Sequence, residues 1–247
     1  MLVVAHRGGN PEDVENSASA FLHGISVGAD LLECDLQLAA DGQIVVYHDV
    51  KFYGAPLSSF TTDELRGLIP TLLTMDEMLE VVHGADPRVR LVLDLKTRDV
   101  DRAVVPYLED PDLRSRVLVT STFSFALWRL KRRFPDLRTG LSRGSMMSRV
   151  PERLRPAVGA LLGPPMLLMA LIVMRLMGIG TMVIQHHLLD DASLRYFQRR
   201  GIRVYAWTVD DPERAAELRD LGVDYLTTNL PAMMAEYFST QDGGSMP

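Results

Sequence analysis

Residues 181–228 read "TMVIQHHLLDDASLRYFQRRGIRVYAWTVDDPERAAELRDLGVDYLTT", and apolar runs alternate in them with helix-period segments. The apolar runs cover 181–185, 203–209 and 224–228, and a glycine precedes each of the last two. Glycine commonly ends a helix just before the chain enters a strand. This alternation predicts parallel strands that are joined by crossover helices.

The same alternation extends over most of the 247 residues, and several apolar runs lack a polar face, as in a buried parallel sheet. Candidate strands lie at 2–6, 31–36, 43–48, 90–96, 116–121, 138–142, 181–185, 203–209 and 224–228. Candidate helices lie at 17–27, 62–68, 75–82, 125–133, 192–200 and 212–221. We therefore predict a single-domain α/β protein, a TIM (β/α)8-type barrel over 1–238, with a disordered tail at 239–247. Nine runs for eight barrel positions imply that one strand belongs to an excursion.

Residues 31–50, "LLECDLQLAADGQIVVYHDV", depart from the alternation of strands and helices, and which run is the excursion stays open. Its two apolar runs are too close for a parallel crossover, and the Asp-Gly pair at 41–42 is typical of a hairpin turn. We predict an antiparallel hairpin in which Asp35 faces His48 and Glu33 shares that face. Such a face suits a divalent cation beside a proton carrier, whereas the alternative is an ordinary solvated hairpin. A register shift of one residue would undo the pairing.

Bulk composition excludes several classes of protein. The net charge of −6 and the sequence pI near 5.5 give no indication of nucleic-acid binding. The single cysteine, Cys34, excludes an internal disulfide framework. The first residues, "MLVVAHRGG", have neither the basic segment nor the long apolar segment of a signal peptide. We therefore expect a cytoplasmic protein.

Charged residues stand at the ends of two predicted strands. His6 and Arg7 lie at the end of the first strand, where parallel barrels build their active sites, and Arg7 has the planar donor geometry that binds phosphate. Asp94 and Lys96 share one face of a strand that is otherwise apolar. That pair is either a structural salt bridge or part of a site.

An ordered set of short motifs covers nearly the whole chain apart from roughly 143–180. They are "HRG" (6–8), "ENS" (15–17), "GAD" (28–30), "ECD" (33–35), "DG" (41–42), "HD" (48–49), "LDLK" (93–96), "VYAWTVDDPE" (204–213) and "GVDYLTTNLP" (222–231). In this order and spacing the sequence resembles the glycerophosphodiester phosphodiesterase family. The resemblance implies a TIM barrel that hydrolyses a phosphodiester, with the help of a metal, to an sn-glycerol 3-phosphate-type product and an alcohol.

The resemblance also implies roles for ten residues and one divalent cation, Mg²⁺ or Ca²⁺. The matched positions are Glu33, Asp35 and Asp94 for the metal, His6 and His48 for acid–base catalysis, and Arg7, Lys96, Glu15, Asn16 and Trp207 for substrate binding and its supporting loop. Asp94 departs from the pattern, because the family usually has Glu there. The family's Leu-x-Arg-Thr-Thr run after the His-Asp motif is also missing, which bears on the headgroup pocket.

The stretch that interrupts the resemblance has an unusual composition. Residues 129–155 carry a net charge of +7, and 157–174 are uncharged and rich in Met and Leu. A membrane span there would separate the two halves of one barrel, so we expect an apolar helical insert near 143–180. It would serve as a buried helix or oligomer contact, or as a lipid-admitting helix at an anionic membrane surface, with peripheral contact through 157–180.

Three functional interpretations stay open because of the apolar insert, Asp94 and the missing Leu-x-Arg-Thr-Thr run. The first is hydrolysis of soluble glycerophosphodiesters. The second is lysophospholipase D-like hydrolysis of lysophospholipids at a membrane surface, with a phospholipase or sphingomyelinase D-like relative as a variant. The third is a catalytically inactive, lipid-binding barrel. The sequence leaves the oligomeric state open.

Overall fold

The computed structural model describes residues 1–9, 14–143, 153 and 168–243. The strands are β1 (Leu2–Ala5), β2 (Leu31–Leu38), β3 (Ile44–Val46), β4 (Lys51–Phe52), β5 (Ala55–Pro56), β6 (Leu73–Thr74), β7 (Leu91–Leu95), β8 (Val117–Ser121), β9 (Arg138–Arg143), β10 (Thr181–Gln185), β11 (Arg203–Trp207) and β12 (Tyr225–Thr228). The helices are α1 (Ala18–Ser26), α2 (Thr62–Leu68), α3 (Met75–Ala85), α4 (Val100–Ala103), α5 (Val105–Leu108), α6 (Pro111–Arg116), α7 (Ser124–Arg133), α8 (168–177), α9 (Asp191–Gln198), α10 (Pro212–Asp220) and α11 (Pro231–Gly243). Short 3₁₀ helices lie at His6–Gly8, Leu57–Ser59 and His186–Leu188.

Eight parallel strands close into a barrel in the order β1-β12-β11-β10-β9-β8-β7-β2, and pairing between β1 and β2 completes the ring. The predicted TIM-type barrel is therefore confirmed. The excursion is β3, which pairs antiparallel with β2 and then with β6. The strands β4 and β5 form a separate small hairpin.

The barrel interior is filled by one side chain from nearly every strand. This inner layer consists of Val4, Leu31, Val92, Leu118, Val183, Tyr205 and Tyr225. At β9 the interior position is Gly140, where a Cβ atom would lie 2.8 Å from Cγ2 of Val183. Because side chains alternate along a strand, the residue two positions after each member points into the carboxyl-end mouth of the barrel.

Helix starts follow local capping chemistry. Ser17 and Asp211 cap α1 and α10, each by accepting a backbone N–H of the first turn. The cap of α2 is Thr61. Thr61 accepts the N–H of Glu64, whose carboxylate accepts the N–H of Thr61 in return, so this capping box fixes the start of α2.

The hairpin at 31–50 is confirmed, but its predicted register is wrong by one residue. Leu36 pairs with Val46, and the backbone N–H of Tyr47 donates to the carbonyl oxygen of Asp35 over 2.9 Å. Asp35 therefore stands opposite Tyr47 and not opposite His48. The strand β3 ends before His48, which lies in the loop that follows.

The register differs because the turn is centred on Asp41 and not between Asp41 and Gly42. The five residues between β2 and β3 form the loop, which is closed by a hydrogen bond from the N–H of Ala39 to the carbonyl of Gln43. The Asp41 carboxylate accepts the backbone N–H of Thr62 at 3.0 Å and its hydroxyl at 3.1 Å. The start of α2 therefore fixes the centre of the turn.

Two predicted segments lie partly outside the described residues. Of the apolar insert near 143–180, residues 168–177 form α8, whereas 144–152 and 154–167 lie outside. No helix within the described ranges combines the length and hydropathy needed to cross a membrane. The tail predicted to be disordered from residue 239 is helical as far as Gly243, and 244–247 lie outside the described residues.

Candidate active site

Three carboxylates meet at the carboxyl-end mouth of the barrel. Glu33 and Asp35 are two positions apart on β2 and follow Leu31 of the inner layer, so both point inward. Asp94 on β7 is the register partner of Asp35. Each residue offers an oxygen that lies within 4.8 Å of the other two. The barrel therefore brings together the three residues that the sequence predicts as metal ligands.

Asp35 is buried and is held by two cations and an amide. Its Oδ1 lies 2.8 Å from Nζ of Lys96, and its Oδ2 lies 3.1 Å from Nε of Arg7 and accepts from Nδ2 of Asn16 at 2.9 Å. Burial alone would raise the pKa of Asp35, but Lys96 and Arg7 outweigh it and lower that pKa to about 2. His48 makes a smaller contribution in the same direction.

The Glu33 carboxylate has fewer stabilising contacts than that of Asp35 among the described residues. It is almost fully buried, and its Oε2 accepts the backbone N–H of Arg7 at 2.9 Å. Burial and the neighbouring charge of Asp35 raise the pKa of Glu33 well above its ordinary value. A buried acid of this kind becomes stable as an anion when a cation joins it, and oxygen ligands are what Mg²⁺ and Ca²⁺ prefer. The donor set therefore fits a hard divalent cation.

Asp94 reaches the cluster, although its side chain is one methylene shorter than the glutamate that the resemblance implies at this position. Its Oδ1 accepts from the hydroxyl of Thr120 at 2.6 Å, and its Oδ2 lies 2.8 Å from Nζ of Lys96. Lys96 thus bridges Asp94 and Asp35. Burial would lower the pKa of Lys96, but the two carboxylates raise it, so the ammonium stays charged.

His6 directly follows β1 and is oriented by Asn229, which directly follows β12. Its Nδ1 lies 2.7 Å from Oδ1 of Asn229. The Nδ2 of Asn229 donates to Oδ2 of Asp210 at 2.7 Å, which leaves the amide oxygen facing the imidazole. Because a carbonyl oxygen only accepts, Nδ1 of His6 carries the proton and Nε2 has a free lone pair. Burial and the nearby Arg7 lower the pKa of His6.

The predicted supporting loop contacts Arg7. The Nη1 of Arg7 lies 2.5 Å from Oε2 of Glu15, and the N–H of Asn16 donates to the carbonyl of Arg7 at 2.9 Å. Arg7 itself has a left-handed backbone with φ of 51°. The next residue, Gly8, has no room for a side chain, since a Cβ atom would lie 2.6 Å from the backbone of Ala20.

His48 lies in the loop after β3 and is about one-third exposed. Its Nδ1 is 2.8 Å from Oδ1 of Asp49. The buried Gln37 donates through Nε2 to the carbonyls of Tyr47 at 2.8 Å and Asp49 at 2.9 Å, which are the residues on either side of His48. This clamp positions His48 near Asp35 although the two residues are not paired in the hairpin.

Sequence reasoning missed Gln37, Asn229 and Asp210. Gln37 could have been predicted from the sequence, because it lies two positions after Asp35 and so continues the inward-facing series of Glu33 and Asp35. Trp207, which was predicted, ends β11 and packs against the inner layer of the barrel.

The glycerophosphoryl diester phosphodiesterase family matches the chain over residues 6–233. YhdW of Bacillus subtilis, whose name assigns it to the glycerophosphodiester phosphodiesterases, is 26% identical over 254 residues that cover 94% of this chain and 95% of its own. A glycerophosphodiester phosphodiesterase structure from Parabacteroides distasonis has a TM-score of 0.78 at 24% identity and covers 98% of both chains. An Oleispira antarctica phosphodiesterase, solved in complex with the product sn-glycerol-3-phosphate, has a TM-score of 0.71 at 20% identity and covers 97% of both chains. The chain therefore belongs to the glycerophosphoryl diester phosphodiesterase family of enzymes, as its sequence motifs predict.

Proposed function

We propose that this protein hydrolyses a glycerophosphodiester, with the help of one divalent cation, to an sn-glycerol 3-phosphate-type product and an alcohol. The observation that carries the proposal is the group of three carboxylates within 4.8 Å of one another, flanked by Arg7 and Lys96, at the mouth of the barrel. Family membership and the sn-glycerol-3-phosphate complex of the Oleispira relative support the substrate class.

Glu33, Asp35 and Asp94 would hold the cation, with Mg²⁺ or Ca²⁺ favoured by their oxygen donors. When bound, the cation supplies positive charge that neutralises the phosphate oxygens. Arg7 and Lys96 would contact the same oxygens, since both remain charged and both border the carboxylates. Glu15 and Asn16 would hold Arg7 and Asp35 in position.

The two histidines would divide the proton transfers. His6 is the better base, because Asn229 keeps the ring proton on Nδ1. The Nε2 atom can then accept a proton from the attacking hydroxyl or water. His48 would then donate the proton that the leaving alcohol takes up. Its loop is held from behind by Gln37, and its ring is partly exposed at the mouth.

A panel of substrates tests the proposal. Purified protein with Mg²⁺ or Ca²⁺ should release glycerol 3-phosphate from glycerophosphocholine, and a chelator should stop the release. His6→Ala should lower kcat by at least about 100-fold, in the range of lost acid–base catalysis. If no glycerophosphodiester or lysophospholipid yields an alcohol with either ion, catalysis is rejected and the inactive lipid-binding barrel is preferred.

A second candidate, hydrolysis of lysophospholipids by protein docked on a membrane, is favoured by the surface of α8. Leu168, Met169, Ile172 and Leu176 are large apolar side chains exposed there, and Leu176 is 78% exposed. Arg175 is exposed among them, which suits an anionic lipid surface.

A groove of about 510 Å³ lies between α8 and α9. It includes Gly180 and Ile202, which precede β10 and β11, so it opens toward the end of the barrel opposite the carboxylates. The groove would therefore serve docking on a membrane and not entry of an acyl chain into the site, which favours the soluble substrate over the lysophospholipid. We therefore propose that the protein is cytoplasmic and that the exposed surface of α8 makes peripheral contact with the inner membrane surface.

Sedimentation with vesicles tests the docking, and a comparison of two substrates separates the two candidates. Binding to phosphatidylglycerol vesicles but not to phosphatidylcholine vesicles, weakened by Ile172→Glu with Leu176→Glu, would support docking. Equal or better kcat/KM for glycerophosphocholine than for lysophosphatidylcholine would reject the lysophospholipid preference whatever the vesicle result.

A further inference from the structure

Oε1 of Gln185 and Nε1 of Trp207 are buried at the mouth of the barrel, and neither has a hydrogen-bond or ion-pair partner among the described residues. Both side chains point into the mouth, because each follows an inner-layer residue, Val183 or Tyr205, by two positions. They are also register partners on the neighbouring strands β10 and β11. An unpaired buried donor or acceptor is unfavourable, so two of them side by side indicate a ligand.

The pair lies across the mouth from the carboxylates. In the closed ring, β10 is the fourth strand from β2 in either direction, so Gln185 is diametrically opposite Glu33 and Asp35. A phosphodiester carries one organic group on each side of its phosphorus. When the phosphate lies at the carboxylates, one of these groups extends toward Gln185 and Trp207.

The two atoms have complementary hydrogen-bonding roles. The amide oxygen of Gln185 accepts, and the indole N–H of Trp207 donates. A hydroxyl satisfies both at once, whereas a phosphate oxygen only accepts and a quaternary ammonium does neither. In glycerophosphocholine the glycerol hydroxyls are the groups that fit, and the terminal hydroxyl lies farther from the phosphorus.

We propose that Gln185 and Trp207 bind the terminal hydroxyl of the substrate's glycerol moiety and select for it. The inference rests on the proposed function and narrows its substrate class. A 1-acyl lysophospholipid carries that oxygen as an ester, which cannot donate to Gln185. The site therefore favours soluble glycerophosphodiesters over lysophospholipids.

The test varies one hydroxyl and one side chain together. Glycerophosphocholine is compared with 2-hydroxypropyl phosphocholine, which keeps the hydroxyl next to the phosphoester and has hydrogen in place of the terminal one. For wild-type protein we expect kcat/KM to be about 10- to 100-fold higher for glycerophosphocholine. Gln185→Leu should remove most of this preference by lowering kcat/KM for glycerophosphocholine alone, and Trp207→Phe, which keeps an aromatic ring, should reduce it.

Thr181→Val provides the matched control. Thr181 is on the same strand and face as Gln185 and also has a buried hydroxyl without a partner among the described residues, but it lies at the amino end of the barrel. This variant should keep the wild-type preference.

The outcomes separate the inference from the proposed function. If wild-type protein hydrolyses neither compound, the proposed function fails and the inference fails with it. If hydrolysis occurs but wild type and Gln185→Leu discriminate equally, the inference alone is rejected. An equal loss for both substrates in Gln185→Leu also rejects it, because that pattern indicates a structural role.

Discussion

The Nδ1 atom of His6 lies 2.7 Å from Oδ1 of Asn229, a residue 223 positions later in the chain. The contact exists because β1 and β12 are neighbours in the closed barrel. Asp210 accepts from both the backbone N–H and Nδ2 of Asn229, so the amide cannot turn its nitrogen toward the histidine without losing a charge-assisted hydrogen bond.

Asn229→Leu should therefore slow catalysis with little effect on substrate binding. Without the amide oxygen, the proton of His6 is no longer held on Nδ1, and Nε2 is less often available as a base. We expect kcat to fall by about 10- to 100-fold with KM within about twofold of wild type. A steady-state assay on glycerophosphocholine measures both constants, and a change confined to KM would contradict the assignment.

Glu33 and Asp35 should differ in their effects on stability, although both variants should be inactive. Asp35→Asn breaks buried ion pairs with Lys96 and Arg7 and should lower the free energy of unfolding by about 3–5 kcal/mol. Glu33→Gln removes an acid that is unfavourable as an anion without metal, because its pKa is raised. At pH 7 and without metal it should be as stable as wild type or more stable, as measured by urea denaturation. Equal destabilisation by both variants would argue against this account.

Addition of Mg²⁺ or Ca²⁺ should raise the melting temperature of the wild-type protein. A ligand at 100 times its Kd stabilises the native state by about 2.7 kcal/mol. Glu33→Gln serves as the control, since it loses an anionic ligand without losing the ion pairs of Asp35. The shift should be absent or much smaller in that variant, and an unchanged shift would mean that the ions bind elsewhere.

The barrel could be predicted from sequence because strand and helix periodicities are local. Each strand's apolar run and each helix's amphipathic repeat are visible within about ten residues, and the chain's length then favours closure. The hairpin register could not be predicted from a local pattern. It depends on hydrogen bonds between the Asp41 carboxylate and Thr62, and no pattern within 31–50 reveals that contact.

In the candidate active site, too, some features could be predicted from local sequence and others depend on distant contacts. The carboxylates on β2 could be predicted to share a face, because the spacing of Glu33 and Asp35 fixes it. The positioning of both histidines could not. His6 depends on Asn229, and His48 depends on Gln37, which reaches past the end of β3 to the neighbouring backbone. Contacts of this kind follow from the closed structure and not from a local repeat.

Gly8→Ala should destabilise the protein more than Gly42→Ala. Both glycines have positive φ, of 95° and 83°, so either substitution strains the backbone by about 1–2 kcal/mol. At Gly8 the new Cβ would also lie 2.6 Å from the backbone of α1, whereas nothing lies within 4 Å at Gly42. Thermal denaturation of the two variants should show the larger loss at Gly8, and equal losses would mean that α1 yields without cost.

His186 should make stability fall as the solution becomes acidic. Burial, together with His187 and Arg214, lowers the pKa of His186 to about 4, from 6.5 for an exposed imidazole. Between these two values the unfolded chain binds a proton that the folded chain does not, so the free energy of unfolding decreases as pH falls through this window. His186→Asn should therefore lose less stability than wild type between pH 7 and pH 5 in urea denaturation. Parallel losses would show that His186 titrates alike in the folded and unfolded chains.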